Sequence, residues 1–246
     1  QALVEETMRV LIARARRGDG FYVHKLDKDA AMLDVRADLY DQAFVLFALG
    51  TAGGALAEEA FFDEAERLLD TIGAQWSHPL GGFREGEIVA PAIRRQNPHM
   101  HLLEALLFWQ ATAPNPVWED AARRILDLFA TRFFDARFGV LGEYFAADWS
   151  VAPGALGEVA EPGHHMEWVW LLDQAHRLGL PGHADKADVL FRVALERGFD
   201  AEGHAVREIG RETGLLDSGR RLWCQTETLR ALRLRGEVER ADALLD

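Results

Sequence analysis

The sequence predicts an all-α fold, built of helical hairpins that pack side by side and close into a toroid. Three observations point there. A short motif of polar and aromatic residues opens an apolar helix four times, at spacings of roughly 60 residues. The four openings are LYDQAFVLFALG from Leu39, NPHMHLLEALLFW from Asn97, GHHMEWVWLL from Gly163 and RLWCQTETLRAL from Arg221. Two kinds of helix alternate along the chain, and glycine-rich stretches separate each outer helix from the next inner one.

The elements follow in order. QALVEETMRVLIARARR is amphipathic, and GDGFYVHKLD has the glycine and β-forming content of a hairpin. Residues 44–49 are apolar all round, as are 102–109 and 168–172, so these helices are expected to be buried on most faces. Between them lie one-sided helices. Phe61, Ala65, Leu68, Leu69 and Ile72 form one stripe, with Glu64, Glu66 and Arg67 expected to face away. Trp118, Ala122, Ile125, Leu126 and Phe129 form the next, and Ala187, Leu190, Phe191 and Ala194 the last. The stretches LGGFREGEIVAP, RFGVLGEYFAADWS and GFDAEGHAVREIG predict three further hairpins or loops. Polar heads on buried inner helices favour a toroid with a central pocket over an open solenoid. No Pro/Ser-rich linker interrupts residues 1–246, which predicts a single domain.

Composition excludes some functions. A formal charge of -13 leaves nothing to neutralise nucleic-acid phosphates. Cys224 is the one cysteine, so no intrachain disulfide forms; this fits a reducing compartment and predicts a cytoplasmic location. No apolar run approaches the roughly 20 residues of a membrane span. The chain starts on Gln1 in a helix unlike a signal peptide and stops inside the helical pattern VERADALLD, so both ends are expected to be trimmed.

Candidate chemistry sits at the helix heads. Asn97 and His101, four apart, share a helix face, as do His164 and Glu167, three apart. Pro98 and Pro162 place both sets in a first turn. There the helix dipole favours a neutral imidazole able to act as a base. The competing view makes these capping and core histidines. Trp109, Trp168 and Trp170 are expected in the core, whereas Trp223, beside Arg220 and Arg221, could stack on a sugar. His99 with His101, and His164 with His165, raise a metal, but adjacent residues on a helix point about 100° apart and cannot share one ion; His101 with Glu104, or His164 with Glu167, could each supply two ligands. No metal is expected. Phosphate-loop, dinucleotide and nucleophile-elbow motifs are absent. His24, His78, His176, His183 and His204 are expected at the surface. Arg94–Arg95 and Arg220–Arg221 fit either a sugar phosphate or loop salt bridges.

At NPHMHLLEALLFW and EPGHHMEW the chain resembles the N-acylglucosamine 2-epimerase superfamily, which includes aldose–ketose isomerases acting on mannose and cellobiose 2-epimerases; LYDQAFVLFAL, the GGF hairpin and LWCQTE fit it in the same order. The resemblance implies an (α/α)6 barrel of twelve helices, of which this chain would lack the terminal ones. It implies His164 as general acid/base with Glu167 as its partner. Asn97 and His101 would bind substrate, Trp223 would pack on the sugar, and Tyr40 and Asp41 would form wall or polar support. The implied reaction is proton transfer at C1/C2 of an open-chain aldose through a cis-enediolate, without metal or redox cofactor. Mannose-type aldose–ketose isomerisation is favoured. N-acyl-D-glucosamine 2-epimerisation is the alternative, followed by a glycoside hydrolase using Asp41 and Glu167 and by a non-catalytic sugar- or protein-binding toroid. A second catalytic histidine and a sugar-holding arginine, implied by the resemblance, would lie outside these residues. The expected partner is a small-molecule sugar, with no nucleic acid and no membrane; a homodimer is compatible with the sequence.

Overall fold

A computed structural model describes residues 1–245. They form two compact units, the first of residues 1–125 and the second from residue 126 onward. The first holds helix α1 (Ala2–Ala15), the hairpin β1 (Lys25–Leu26) and β2 (Met32–Asp34), α2 (Leu39–Leu56), α3 (Glu59–Trp76), strand β3 (Ile93–Arg95), α4 (Asn97–Thr112) and most of α5 (Pro116–Leu128). The second opens on the end of α5 and a π-helical turn (Phe129–Phe133). It continues with β4 (Phe134–Asp135), β5 (Val140–Leu141), β6 (Tyr144–Ala146), α6 (Ala155–Glu158), β7 (Val159–Ala160), α7 (Pro162–Arg177), α8 (Ala184–Arg197), β8 (Glu208–Gly210), β9 (Leu215–Asp217), α9 (Leu222–Leu234) and α10 (Val238–Ala243). The expected alternation is present: α2, α4, α7 and α9 are the four helices with polar heads, and an amphipathic helix precedes each hairpin.

In the first unit α2 packs on α3 and α4. Trp109 of α4 donates its Nε1–H to the Leu46 carbonyl at 2.8 Å and stacks on Trp118 with ring centroids 5.0 Å apart, so both indoles are core, as expected for Trp109. By length and composition α2 could cross a membrane, but this packing makes it an inner helix of the bundle. Two expectations fail here. Phe44 is 40% exposed, so the 44–49 run is not buried on every side. Glu64 does not face away: it is 3% exposed and accepts from the Tyr22 hydroxyl at 2.8 Å and from Arg16 and Arg67. Its position on the α3 stripe is occupied by a carboxylate because Tyr22 brings a buried donor there, and a buried polar group needs a partner.

In the second unit α7 packs on α8 and α9. Trp168 is fully buried and stacks on Phe129 at 4.4 Å, whereas Trp170 is only half-buried and lies under the Arg230 guanidinium at 3.9 Å.

One hydrogen bond recurs at every inner helix head. Tyr22 N–H donates to Gln42 Oε1 at 2.8 Å, Phe83 N–H to His99 Nε2 at 3.0 Å, Leu141 N–H to His165 Nε2 at 3.0 Å, and Ala205 N–H to Gln225 Oε1 at 2.9 Å. Each donor also pairs with the end of the preceding outer helix or turn: Arg16 with Tyr22, Ser77 with Phe83, Phe134 with Leu141, and Phe199 with Ala205. Gln42 and Gln225 return a bond to the carbonyl of the same hairpin residue. The latch satisfies backbone groups that burial would otherwise leave unpaired. Burial pushes the pKa of both His99 and His165 down to about 4, so both rings are neutral acceptors.

Glutamine and histidine fill equivalent latch positions. His165→Gln and His99→Gln should therefore keep the urea unfolding midpoint close to the parent. The alanine variants should lose about 1–3 kcal/mol by stranding the hairpin N–H. Equal losses for Gln and Ala would show that the latch is not the role of these rings.

Candidate active site

The site is built from the residues that flank the latch. In the second unit, Leu141 is held by His165, so Glu143, two residues on, faces the residue before the latch, His164. Glu143 Oε2 accepts from His164 Nδ1 at 3.0 Å, and both side chains are buried, 3% and 6% exposed. Glu143 also accepts from the Glu161 N–H at 3.3 Å, just before the α7 N-terminus. Glu161 Oε2 lies 4.0 Å from His164 Nδ1.

Trp223, in the first turn of α9, covers the His164 ring with centroids 4.8 Å apart. Gly163 makes that approach feasible: a Cβ there would stand 2.8 Å from the indole and 2.9 Å from Cys224 Sγ.

The electrostatics correct one expectation. Burial and the α7 dipole both disfavour a charged His164, and a neutral imidazole was expected. Burial does lower its proton affinity, but the charge of Glu143, its hydrogen bond, and the charges of Glu161 and Glu167 outweigh it, and the pKa rises to about 9. His164 is thus an imidazolium at neutral pH. The neutral histidine of the pair is its neighbour His165.

Glu143, Glu161 and His164 bring ligand atoms within 4.8 Å of one another, a spacing a divalent ion would suit. The His164 imidazolium lies beside these carboxyls, and an ion would compete with its proton for them.

In the first unit, the Tyr40 ring stands edge-on to the His101 ring at 5.1 Å, and Phe44 lies 4.8 Å from it. His101 Nδ1 meets Glu104 at 3.2 Å, three residues along the same helix. Asn97, half-buried, opens that helix. Asp41 pairs with His24 Nδ1 at 2.7 Å. This pair occupies the same two repeat positions as Glu143 and His164, with acid and base exchanged: two residues past the latch donor, and one before the latch acceptor. His24 therefore has a defined partner and is not one more scattered surface histidine.

The site residues expected from sequence fall into two sets by unit: Tyr40, Asp41, Asn97 and His101 in the first, His164, Glu167 and Trp223 in the second. Glu167 is 4% exposed and its charge acts on His164. The carboxylate that hydrogen-bonds Nδ1, Glu143, was not anticipated, because it lies 21 residues upstream in a hairpin. The signal for it is the repeat register, which places His24, Glu85, Glu143 and Arg207 at one equivalent position. Of the arginines weighed for phosphate, Arg95 is taken by Glu85 at 2.6 Å, and Arg220 by Asp200 and Glu202 at 2.6 and 2.8 Å, as loop salt bridges.

The chain is similar to known proteins. The family model for N-acylglucosamine 2-epimerase (GlcNAc 2-epimerase) matches residues 1–244. A mannose-6-phosphate isomerase of Rhizobium meliloti (strain 1021) is 35% identical over 218 residues, 86% of this chain and 56% of the relative. A D-mannose isomerase of Thermobifida fusca is 30% identical over 226 residues, 82% of this chain and 54% of the relative. The chain thus spans a little over half the length of these relatives. The structure of cellobiose 2-epimerase from Bacillus thermoamylovorans B4167 superposes with a TM-score of 0.88 at 19% identity, covering 98% of this chain and 68% of that one. That likeness shows the fold class to be that of the (α/α)6 barrels, as the family resemblance implies and in keeping with the toroid expected from the helix alternation. With the family model matching nearly end to end, the chain belongs to the N-acylglucosamine 2-epimerase family.

Proposed function

We propose that this chain carries the proton-transfer centre of a sugar isomerase or epimerase acting at C1 and C2 of an open-chain aldose. Mannose-type aldose–ketose isomerisation is the favoured reaction. The observation that carries this reading is the buried Glu143–His164 pair with Trp223 against the ring. A carbohydrate C–H bond is cleaved and re-formed through an enediolate, which needs a base to take the C2 proton and an acid to return one, both close to carbon and shielded from water. His164, with Nδ1 committed to Glu143, delivers a proton through Nε2. A proton placed on C1 gives the ketose; one placed on C2 from the opposite face gives the epimer. As an imidazolium, His164 is the acid that returns a proton to the enediolate and a charge partner for its oxygens, while the second histidine that the family resemblance implies is the base that first takes the C2 proton. Trp223 offers an apolar ring surface to the sugar. Asn97 and His101 are assigned to sugar hydroxyls, Tyr40 and Asp41 to the wall and polar support of the substrate site, and Glu167 to support of the His164 charge. Residues 1–246 are taken as one catalytic domain. The mannose preference follows the names of two relatives, a mannose-6-phosphate isomerase and a D-mannose isomerase.

The test is isotope exchange. The full-length protein is incubated in deuterated water with mannose, mannose 6-phosphate, fructose, glucose or N-acetylmannosamine, and C1 and C2 are followed by NMR. Deuterium is expected at C1/C2 of the mannose–fructose pair, and His164→Gln should lower the rate about 10²–10⁴-fold. Label confined to C2 of the N-acetylated sugar would favour the epimerase. No exchange with any of these sugars would remove the reading.

The pKa of His164 also sets a pH dependence. A raised histidine pKa means that the folded state binds the proton more tightly than the unfolded chain. The resulting stability is complete below about 6.5, the unfolded histidine value, and is lost as pH rises through about 9. Urea midpoints measured across that window should fall for the parent and fall less for His164→Gln. Equal slopes would show that His164 does not gain its proton on folding. Activity that uses the imidazolium should decline over the same alkaline limb, and Glu143→Gln should move that limb to lower pH.

A further inference from the structure

Glu161 is a buried carboxyl with no role in the scheme above. It is 9% exposed, and its Oε2 is buried without a hydrogen-bond partner. It sits just outside the first turn of α7, its N–H given to Glu143 and its Oε2 4.0 Å from His164 Nδ1. His164 therefore has two carboxyls on its Nδ1 side, one bonded and one held back by about an ångström.

The charges around Glu161 come from four elements. His164 and Glu167 lie on α7. Glu143 lies on the hairpin before β6, Glu208 on β8, and Arg221 and Cys224 at the head of α9. One imidazolium cannot fully compensate two ionised carboxyls in a buried site, since an uncompensated interior charge is costly. A proton on Glu161 resolves the imbalance and accounts for an oxygen that accepts nothing.

We propose that Glu161 is a positioning residue that switches the proton affinity of His164: neutral, it leaves the Glu143–His164 pair balanced, and ionised, it tightens the hold on the imidazolium proton. Burial, then repulsion by Glu143, raises its pKa to about 7 against the pull of His164 and Arg221, so the switch falls within the neutral range. The catalytic consequence rests on the function proposed above: His164 is the stronger acid while Glu161 carries its proton and the weaker one after Glu161 loses it. The titration itself needs no substrate, so the two readings fail separately.

The experiment is an NMR titration of the His164 ring in the parent protein, without sugar. Two steps are expected: a small one near pH 7, when Glu161 ionises next to an imidazolium that keeps its proton, and a large one near 9, when the ring itself deprotonates. In Glu161→Gln the small step should vanish and the large one move to lower pH. A single step in the parent overturns the proposal, as does a small step that survives in Glu161→Gln. If the glutamine variant does not fold, Glu161→Asp draws the carboxyl back from the ring and should shrink the small step; a step of unchanged size overturns the proposal equally.

Discussion

A buried hairpin N–H at the head of each inner helix must find an acceptor, and that requirement organises the molecule. The chain meets it four times with a side chain from the helix's first turn, glutamine twice and histidine twice. The latch fixes the register between hairpin and helix, and that register decides which side chains meet. Two residues past each donor, the hairpin faces the helix one residue before the acceptor. In the first repeat this brings His24 to Asp41, and in the third Glu143 to His164. In the second repeat the helix position is Pro98, and Glu85 turns to Arg95 instead. In the fourth it is Cys224, and Arg207 turns to Asp217. A single repeated framework thus yields one buried acid–base pair, one half-exposed pair, and two structural ion pairs.

The third repeat is the one in which electrostatics turns geometry into chemistry. A histidine in the first turn of a buried helix would ordinarily be neutral, because desolvation and the dipole agree. His165 and His99 behave that way. His164 does not: desolvation is the largest single influence on it, but the charge and hydrogen bond of Glu143 together with the charges of Glu161 and Glu167 outweigh it. The two adjacent histidines of α7 thereby take opposite jobs: the neutral ring holds the backbone and the charged ring faces Trp223.

Much of the fold was legible in the sequence, because helix periodicity and repeated heads are local signals. The alternation of inner and outer helices, the hairpin positions and the core indoles Trp109 and Trp168 follow from spacing alone. The failures are long-range. Glu64 on the α3 stripe looks solvent-facing until Tyr22, 42 residues earlier, brings a hydroxyl to it. Glu143 carries no helical signal. His164 and His165 are indistinguishable by residue type, and only the hairpin that reaches one of them assigns their roles. The histidines were visible as a group; their protonation states were not, since these depend on partners supplied from other segments.

The central claim is that His164 is a buried imidazolium whose Nδ1–H is donated to Glu143. Neutron diffraction from crystals grown in deuterated solvent at neutral pD locates the protons directly. Deuterium on both ring nitrogens of His164 and none on Glu143 is the expected result, with His165 deuterated on Nδ1 alone. A His164 ring carrying one deuterium, or deuterium on the Glu143 carboxyl, would contradict the account.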